Sequence, residues 1–280
     1  MLSFIILHYK NISETIECLK MLKKIINNNE ASIVVVDNNT LNAEEVLKIK
    51  KYTNDILILD KNYGFAKGNN KGIEYARKKY NPNFYCVINN DVFIEQKDFI
   101  DKVKKIYEKY KFDMLGPKID SPTGESVNPF PVFKDKKTIE SEIKKCRKLI
   151  KIYNSSVLTS LLNLYMKIKR IFKRNIIKPK NGDKTLQNVA LHGCAIIFSK
   201  KYIEKYDEGF YNETFLFHEE EFLYQRILKD NLISIYEPTL HVFHKEGSSI
   251  KNNYKKIRKS KFFREKERLK SLLLLLSKQM

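Results

Sequence analysis

The sequence FYCVINND, residues 84–91, decides the fold class. Its first five residues are apolar, and the next three are Asn89, Asn90 and Asp91. A short apolar run bounded by turn residues is typical of a strand buried on both faces of a parallel sheet. Open sheets of this kind bind ligands beyond the carboxyl ends of their strands. The stretch therefore predicts a buried strand with a candidate functional residue, Asp91, at its end.

The rest of the first half of the chain repeats this alternation of strand and helix. Three more strand candidates are Phe4–Leu7, Ile33–Val36 and Ile56–Leu59. Between and after the strands lie helical patterns near residues 13–27, 42–52, 68–80 and 98–110. Ser13 is a candidate cap for the first of these helices. The pattern predicts the α/β class, with a mostly parallel central sheet covered by helices on both faces.

Two basic segments distinguish the second half. Residues 116–131 are rich in Pro, Gly and Ser and predict a loop. After it, residues 134–180 and 251–280 combine Lys and Arg with apolar residues at helical spacing. We expect a catalytic domain over 1–250, with 134–180 as a basic helical insertion, followed by a basic amphipathic C-terminal tail over 251–280.

The net charge of +20 is concentrated in these two segments. Residues 134–180 contain 15 basic and 3 acidic residues, and residues 251–280 contain 11 and 2. The remainder has 27 basic and 28 acidic residues, which argues against a nucleic-acid-binding protein with a basic working cleft. Basic amphipathic helices favour an anionic membrane surface. A solvated helical face and a homodimer surface are the alternatives.

The spacing of the cysteines and the length of the apolar runs indicate the cellular compartment. The four cysteines do not fall in a metal-ligand spacing or a disulfide framework, which favours a reducing cytoplasm. The N-terminus predicts a strand and not a signal peptide, and apolar runs are too short to cross a bilayer. We therefore expect a cytoplasmic protein, peripheral on the inner face of the cell membrane.

Four stretches have residue types that suit ligand binding or catalysis. Asp91 could bind a divalent cation, and Asp37 could accept hydrogen bonds from a nucleobase or ribose, although both also suit turns. The glycine-rich stretch 62–72 could bring backbone close to a nucleotide or sugar. The adjacent carboxylates of 219–221 could include a general base, or could begin a solvated helix.

Together these features resemble glycosyltransferase family 2, in the branch of bacterial rhamnosyltransferases and galactofuranosyltransferases. The resemblance runs from Phe4 to about Ser249. It is carried, in order, by His8-Tyr9, Val34–Asn39, Asn62–Gly72, Ile88–Asp91, His192–Ala195, Phe215–Arg226, and His244 with Gly247 and Ser248. It implies a GT-A fold, an α/β sandwich that binds a nucleoside diphosphate sugar through Mg²⁺ or Mn²⁺.

The resemblance also implies a role for each matching residue. Glu220 would be the general base, with Glu219 able to exchange roles with it. Asp91 and His244 would bind the metal, and Gly193, Cys194 and Arg226 would lie on the acceptor side, with Arg226 orienting the carboxylates. The donor-binding residues would be His8, Tyr9, Asp37, Asn69, Asn70, Asn89 and Asn90.

The implied reaction is inverting transfer of rhamnose or a hexose from a UDP- or dTDP-linked donor. The acceptor would be a growing, lipid-linked cell-surface polysaccharide such as a capsule. Two departures from the family pattern are Asn89 in place of an acidic residue and Glu219-Glu220 in place of Glu-Asp. They leave open a non-catalytic subunit that supports a partner transferase. A nucleotidyltransferase is disfavoured because His8–Asn11 replaces the Gly- and Lys/Arg-rich loop of that class.

Overall fold

The computed structural model describes residues 1–27, 30–122, 124, 126–133, 135–172, 184–245 and 254–278. The chain divides into two compact units. The first unit comprises Met1–Val132, Lys180–Phe215 and Glu219–Gly247. The second comprises Phe133–Pro179, Leu216–His218 and Ser248–Met280. The short piece 216–218 thus belongs to a different unit from the residues on either side of it.

The strands and helices follow one another in an α/β order. The first half of the chain contains β1 (Leu2–His8), α1 (Ile12–Ile25), β2 (Ala31–Asp37), α2 (Ala43–Lys50), β3 (Ile56–Ile58), α3 (Gly64–Tyr80), β4 (Phe84–Asn89), β5 (Val92–Phe93) and α4 (Phe99–Tyr110). The second half contains β6 (Met114–Asp120), α5 (Lys136–Asn154), α6 (Ser156–Phe172), β7 (Leu186–Gln187), β8 (Ala195–Ser199), α7 (Lys200–Tyr206), α8 (Glu219–Asp230), β9 (Ser234–His244) and α9 (Tyr254–Lys278).

The first half agrees closely with the elements predicted from the sequence, with two corrections. The helix predicted near residues 68–80 begins earlier, at Gly64. Ser13 does not cap α1. Asn11 occupies the N-cap position, and the Ser13 hydroxyl, already inside the helix, donates a hydrogen bond of 2.7 Å to the Asn11 side chain. The helix therefore begins one residue before the predicted cap.

The nine strands found among the described residues form one mixed sheet in the order β3-β2-β1-β4-β8-β6-β9-β5, with β7 also pairing with β9. The strands from β3 to β4 are parallel, as predicted, whereas β8 is antiparallel to both β4 and β6. The loop predicted at 116–131 begins later than expected, because β6 continues to Asp120 in parallel pairing with β9. The carboxyl ends of β1, β2 and β4 lie at the same edge of the sheet, where His8 pairs with Asp37 and Leu7 with Asn89.

Two apolar layers cover the faces of this sheet. Successive residues of β1 point to opposite faces, so Phe4 packs in one layer with Leu19 and Phe99, and Ile5 packs in the other with Ile73 and Tyr202. All of these side chains are buried. Burial on both faces explains why the strands are continuous apolar runs without polar alternation.

The second unit consists mainly of the helices α5, α6 and α9. Leu272 and Leu275 of α9 are buried, as are Ile139 and Cys146 of α5. An ion pair between Arg268 and Glu142 joins α9 to α5. The helical insertion and tail predicted from the charge pattern are thus helical where the structure describes them. Among the described residues, we find no helix with the length and apolar character needed to cross a membrane.

Candidate active site

Asp91 and His244 form a close pair at the end of β4. The Nε2 atom of His244 lies 3.2 Å from Oδ1 of Asp91, and each side chain is 13% exposed. Backbone pairing fixes this arrangement, because β5 follows Asp91 directly and Val92 pairs with His244 in β9. The N–H of Lys245 also donates to the Asp91 carbonyl at 3.0 Å. The structure therefore brings together the two residues predicted as metal ligands.

His192 lies beside this pair and was given no role of its own in the sequence analysis. Its ring centroid is 6.3 Å from that of His244 and 5.4 Å from that of Phe130. The backbone N–H of His192 donates to the buried Asn128 side chain at 2.7 Å. Its place in the stretch His192–Ala195 was the only signal that could have identified it.

Glu220 lies at the start of α8 and is held by backbone. The N–H of Gly193 donates to Oε1 of Glu220 at 2.9 Å. Glu219 and Glu221 are buried, with exposed fractions of 4% and 6%, whereas Glu220 is partly exposed. Of the three adjacent carboxylates, Glu220 is therefore the one that a hydroxyl substrate could reach most easily.

A backbone contact connects the two groups just described. The N–H of Asn89, at the end of β4, donates to the carbonyl of Cys194 at 3.0 Å. Cys194 itself is buried and directly follows Gly193. The strand end that carries Asp91 therefore meets the turn that holds Glu220, within the first unit.

The predicted donor-binding residues on β1 and β2 make internal contacts at the same sheet edge. The Asp37 carboxylate accepts hydrogen bonds from the N–H groups of Thr40 at 2.9 Å and Leu41 at 3.2 Å. Buried His8 lies 2.7 Å through Nδ1 from the Thr15 hydroxyl, and burial lowers the pKa of its imidazole while the charge of Asp37 opposes that shift. Tyr9 is 43% exposed.

Asn90 joins the end of β4 to α1. Its amide donates to the Thr15 hydroxyl at 3.0 Å and to the Asn11 carbonyl at 3.3 Å. Thr15 is thus shared between Asn90 and His8. Asn89 and Asn90 were both predicted to bind the nucleotide-sugar donor. In the structure Asn89 makes its contact through the backbone N–H, and Asn90 makes its contacts through the side-chain amide.

The amide nitrogens of Asn69 and Asn70 both donate to backbone carbonyls. Asn69 is fully buried and donates to the Phe65 carbonyl at 3.0 Å. Asn70 donates to the Phe210 carbonyl at 2.7 Å and accepts from the N–H groups of Gly209 and Phe210. The hydrogen bonds of Asn70 fix α3 to the loop before α8 and give its predicted role at the donor no support. The buried Oδ1 of Asn69 has no hydrogen-bond partner among the described residues.

Arg226 pairs with Glu208, which is not one of the carboxylates that it was expected to orient. Its guanidinium donates to the Tyr202 hydroxyl at 2.9 Å and pairs with Glu208. It also lies over the rings of Tyr206 and Tyr211. These contacts stabilise the packing of α8 against α7, and they do not support a role for Arg226 in orienting Glu219 or Glu220.

No group of three or more His, Cys, Asp and Glu residues within metal-binding reach occurs among the residues that the structure describes. The Asp91–His244 pair would therefore bind a cation only with additional ligands from elsewhere. Gly247 and Ser248, which complete the last motif of the predicted family, lie outside the described residues.

Comparison with known proteins agrees with this architecture. Residues 3–206 match the model of the family described as glycosyl transferase family 2, a range that includes Asp91 and ends before Glu219 and His244. The low-salt glycan biosynthesis hexosyltransferase Agl10 of Haloferax volcanii is 29% identical over 132 residues, which cover 46% of this chain and 40% of Agl10.

Solved structures of TarS from S. aureus share the fold. The crystal structure of TarS residues 1–349 superposes with a TM-score of 0.54 at 15% identity, and its complex with UDP gives 0.54 at 13%. Each comparison covers 98% of this chain and 65% of the TarS chain. The chain thus spans less than two thirds of the length of these relatives. The family match covers most of the chain, and it agrees with the GT-A fold and with the order of the motifs. The chain therefore belongs to glycosyl transferase family 2.

Proposed function

We propose that this protein is an inverting glycosyltransferase. It transfers a sugar from a nucleoside diphosphate donor to a hydroxyl group of a growing, lipid-linked cell-surface polysaccharide, such as a capsule. The observation that carries the proposal is the Asp91–His244 pair at the ligand-binding edge of the sheet. Glu220, which Gly193 holds at the start of α8, supplies a carboxylate for the acceptor within the same unit.

Asp91 and His244 fit a divalent cation, Mg²⁺ or Mn²⁺. Ligands in neighbouring octahedral positions around Mg²⁺ lie about 3 Å apart, and the two side-chain atoms are separated by 3.2 Å. A carboxylate oxygen suits both ions, whereas an imidazole nitrogen is more typical of transition-metal sites. Oxygens of the donor diphosphate would complete the ligand set. When bound, the cation would neutralise the charge that develops on the leaving diphosphate.

Glu220 would act as the general base of the transfer. It accepts the proton of the acceptor hydroxyl while that oxygen forms a bond to the anomeric carbon. The bond from the anomeric carbon to the diphosphate breaks on the opposite side, which inverts the configuration. The hydrogen bond from Gly193 N–H to Oε1 fixes the carboxylate, and Oε2 would then accept the proton.

The relatives give a reason to test one donor class first. TarS was crystallised with UDP, and Agl10 is named a hexosyltransferase. These names favour a UDP-linked hexose over dTDP-rhamnose as the donor, although the identity of the sugar is a proposal for this chain. The rhamnosyltransferase and galactofuranosyltransferase branch stays a prediction from the sequence.

The second unit offers a surface for a peripheral membrane contact. The helix α6 exposes five large apolar side chains on one face: Val157, Leu158, Leu161, Leu164 and Tyr165. This face lies in the segment 134–180, whose charge is strongly positive. An apolar face within a basic segment suits an anionic membrane, where a lipid-linked acceptor would be presented. The apolar residues Leu272 and Leu275 of α9 are buried, so α6 replaces the tail as the proposed contact.

A thermal-shift screen of nucleotide sugars, followed by an assay for release of the nucleoside diphosphate, tests the proposal. We expect UDP-sugars to raise Tm in the presence of Mn²⁺ and to raise it much less with EDTA, because a ligand that binds only the folded state stabilises it. Stabilisation without donor turnover, with acceptor glycan present, would indicate the non-catalytic subunit. Absence of a shift with every UDP- and dTDP-sugar would contradict the proposed donor.

A further inference from the structure

The residues just before Glu219 have an unusual backbone. Phe217 has φ of 74° and His218 has φ of 68°, so two successive residues that are not glycine adopt the left-handed conformation. This conformation is unfavourable for residues with a Cβ, and it persists only where the surroundings impose it. Strain of this kind is often found at functional sites. Glu220 lies two residues beyond His218.

Side chains of α9 provide the contacts that hold this segment. The hydroxyl of Ser271, which is 4% exposed, donates to the Leu216 carbonyl at 2.8 Å. The Arg264 guanidinium lies 5.8 Å from the centre of the Phe217 ring. The segment 216–218 therefore packs in the second unit, although the chain leaves it directly into α8 of the first.

Further contacts also hold residues 216–218 and the residue before them in place. The His218 ring packs on Phe133, with centroids 5.4 Å apart. On the amino-terminal side, the carbonyl of Phe215 accepts a hydrogen bond of 2.8 Å from the N–H of Phe65. The Phe215 carbonyl is thus bonded within the first unit, and residues 216–218 make the contacts described above within the second. Only Glu219 separates the segment from Glu220.

We propose that α9 acts as a clamp on residues 216–218 that sets the position of Glu220, with Ser271 as its principal positioning residue. The clamp rests on the proposed function, because Glu220 is the base of that reaction. Without the Ser271 hydroxyl, the two left-handed residues relax towards ordinary backbone conformations. The start of α8 then moves, and Glu220 loses its alignment with the acceptor. The donor site, formed on other strands, stays intact.

The chain contains a matched control on the same helix. Ser277 also donates a hydrogen bond of 2.8 Å from its hydroxyl, but to the Leu274 carbonyl of its own helix. Ser271→Ala and Ser277→Ala therefore remove the same group from α9, and only the first removes a contact to the segment. Ser271→Thr keeps the hydroxyl and should preserve the contact.

The experiment combines kinetics with hydrogen–deuterium exchange of the full-length chain. For Ser271→Ala we expect kcat to fall at least tenfold, with KM for the donor and Kd for UDP in Mn²⁺ changed by less than twofold. Ser271→Thr should recover most of kcat, and Ser277→Ala should match the wild type. Exchange at the amides of residues 216–222 should rise at least fivefold in Ser271→Ala alone.

The two readouts separate the clamp from the proposed function. Faster exchange only in Ser271→Ala, in a protein without transferase activity, would support the clamp and count against the glycosyltransferase reaction. An active wild type whose Ser271→Ala and Ser277→Ala variants agree in kcat and exchange would overturn the clamp. A loss of UDP affinity that parallels the loss of kcat would overturn it as well, because it would show general damage to the fold.

Discussion

His244 Nε2 and Asp91 Oδ1 lie 3.2 Å apart across the pairing of β5 with β9. Two features of the backbone hold them there: Val92 pairs with His244, and the Lys245 N–H binds the Asp91 carbonyl. His244 lies on a paired strand and Asp91 lies in the turn directly before the strand that pairs with it, so their side chains need little reorganisation to bind a common ligand. The pair is therefore preorganised for the proposed cation.

The first prediction concerns this pair. Asp91→Ala and His244→Ala should each weaken Mn²⁺-dependent UDP binding by about tenfold or more, since even outer-shell changes at metal sites cost roughly 10–100-fold in affinity. Isothermal titration with UDP, with Mn²⁺ and with EDTA, measures this. His241→Ala is the control, because His241 is half-exposed on the same strand and lies 3.7 Å from Asp120. Equal losses in all three variants would remove the metal assignment.

The second prediction distinguishes the carboxylates at the start of α8. Glu220→Gln should lower kcat by roughly 10²–10⁴-fold, the usual contribution of a general base, with UDP binding preserved. Glu219→Gln should have a smaller effect on kcat, because the Glu219 side chain is only 4% exposed. Single-turnover assays with the acceptor glycan measure both. Normal turnover in Glu220→Gln, together with an inactive Glu219→Gln, would move the base to Glu219.

The third prediction tests the apolar face of α6. A double variant, Leu161→Ser with Leu164→Ser, should reduce co-sedimentation with anionic vesicles, because both side chains are more than half exposed. Leu47→Ser with Leu228→Ser provides a matched control with similar exposure in the first unit. Gel filtration of the same variants tests the dimer alternative. Unchanged pelleting of the double variant, with a dimer converted to a monomer, would assign the α6 face to self-association.

Much of the fold was predictable from local patterns, because fully buried strands are continuous apolar runs. The parallel strands β1 to β4 and the positions of Asp37 and Asp91 at their ends followed from this pattern. The antiparallel insertion of β8 did not, because its pairing with β4 joins residues far apart in sequence. The contact between Asp91 and His244 depends on similar long-range pairing, so only the family resemblance predicted it.

Side-chain roles were harder to predict than side-chain positions. Asn70 lies in the predicted glycine-rich helix start, but its amide binds the backbone of Gly209 and Phe210. Sequence could not show whether an asparagine at a strand end or helix start bonds to a ligand or to a loop, since both uses suit its donors and acceptors. The same limit applies to Arg226, which pairs with Glu208.

The fourth prediction concerns the pH dependence of stability. Burial, followed by the charge of Arg268 and opposed by Glu142, lowers the pKa of His218 to about 4. Between pH 6.5 and 4 the unfolded chain binds a proton at this residue that the folded chain does not, so stability falls as the pH falls through that range. The shift corresponds to roughly 3 kcal/mol.

His218→Phe tests this contribution, because the Nε2 atom of His218 is buried with no hydrogen-bond partner among the described residues. An aromatic ring is kept and the titration is removed. Urea unfolding at several pH values should show a shallower loss of stability below pH 6.5 in His218→Phe than in the wild type. His241→Gln, at a half-exposed position, should resemble the wild type. Identical pH profiles for all three proteins would show that His218 makes no contribution.

The fifth prediction concerns Gly64, at the start of α3. Its φ is 78°, and a Cβ at this position would lie 2.2 Å from the carbonyl oxygen of Phe215. That oxygen also accepts a hydrogen bond from the N–H of Phe65, so the segments around Gly64 and Phe215 cannot separate without losing this hydrogen bond. Gly64→Ala should therefore lower the free energy of unfolding by roughly 2–4 kcal/mol, from backbone strain and overpacking together.

Gly124→Ala separates these two causes, because Gly124 has φ of 73° and a Cβ added there would meet no atom within 4 Å. It should lose only about 1 kcal/mol, the cost of the left-handed backbone alone. Urea denaturation of both variants measures the difference. A loss at Gly64 no larger than that at Gly124 would mean that Phe215 moves away at little cost. The backbone leading to residues 216–218 would then lack the fixed amino-terminal contact that the clamp on Glu220 requires.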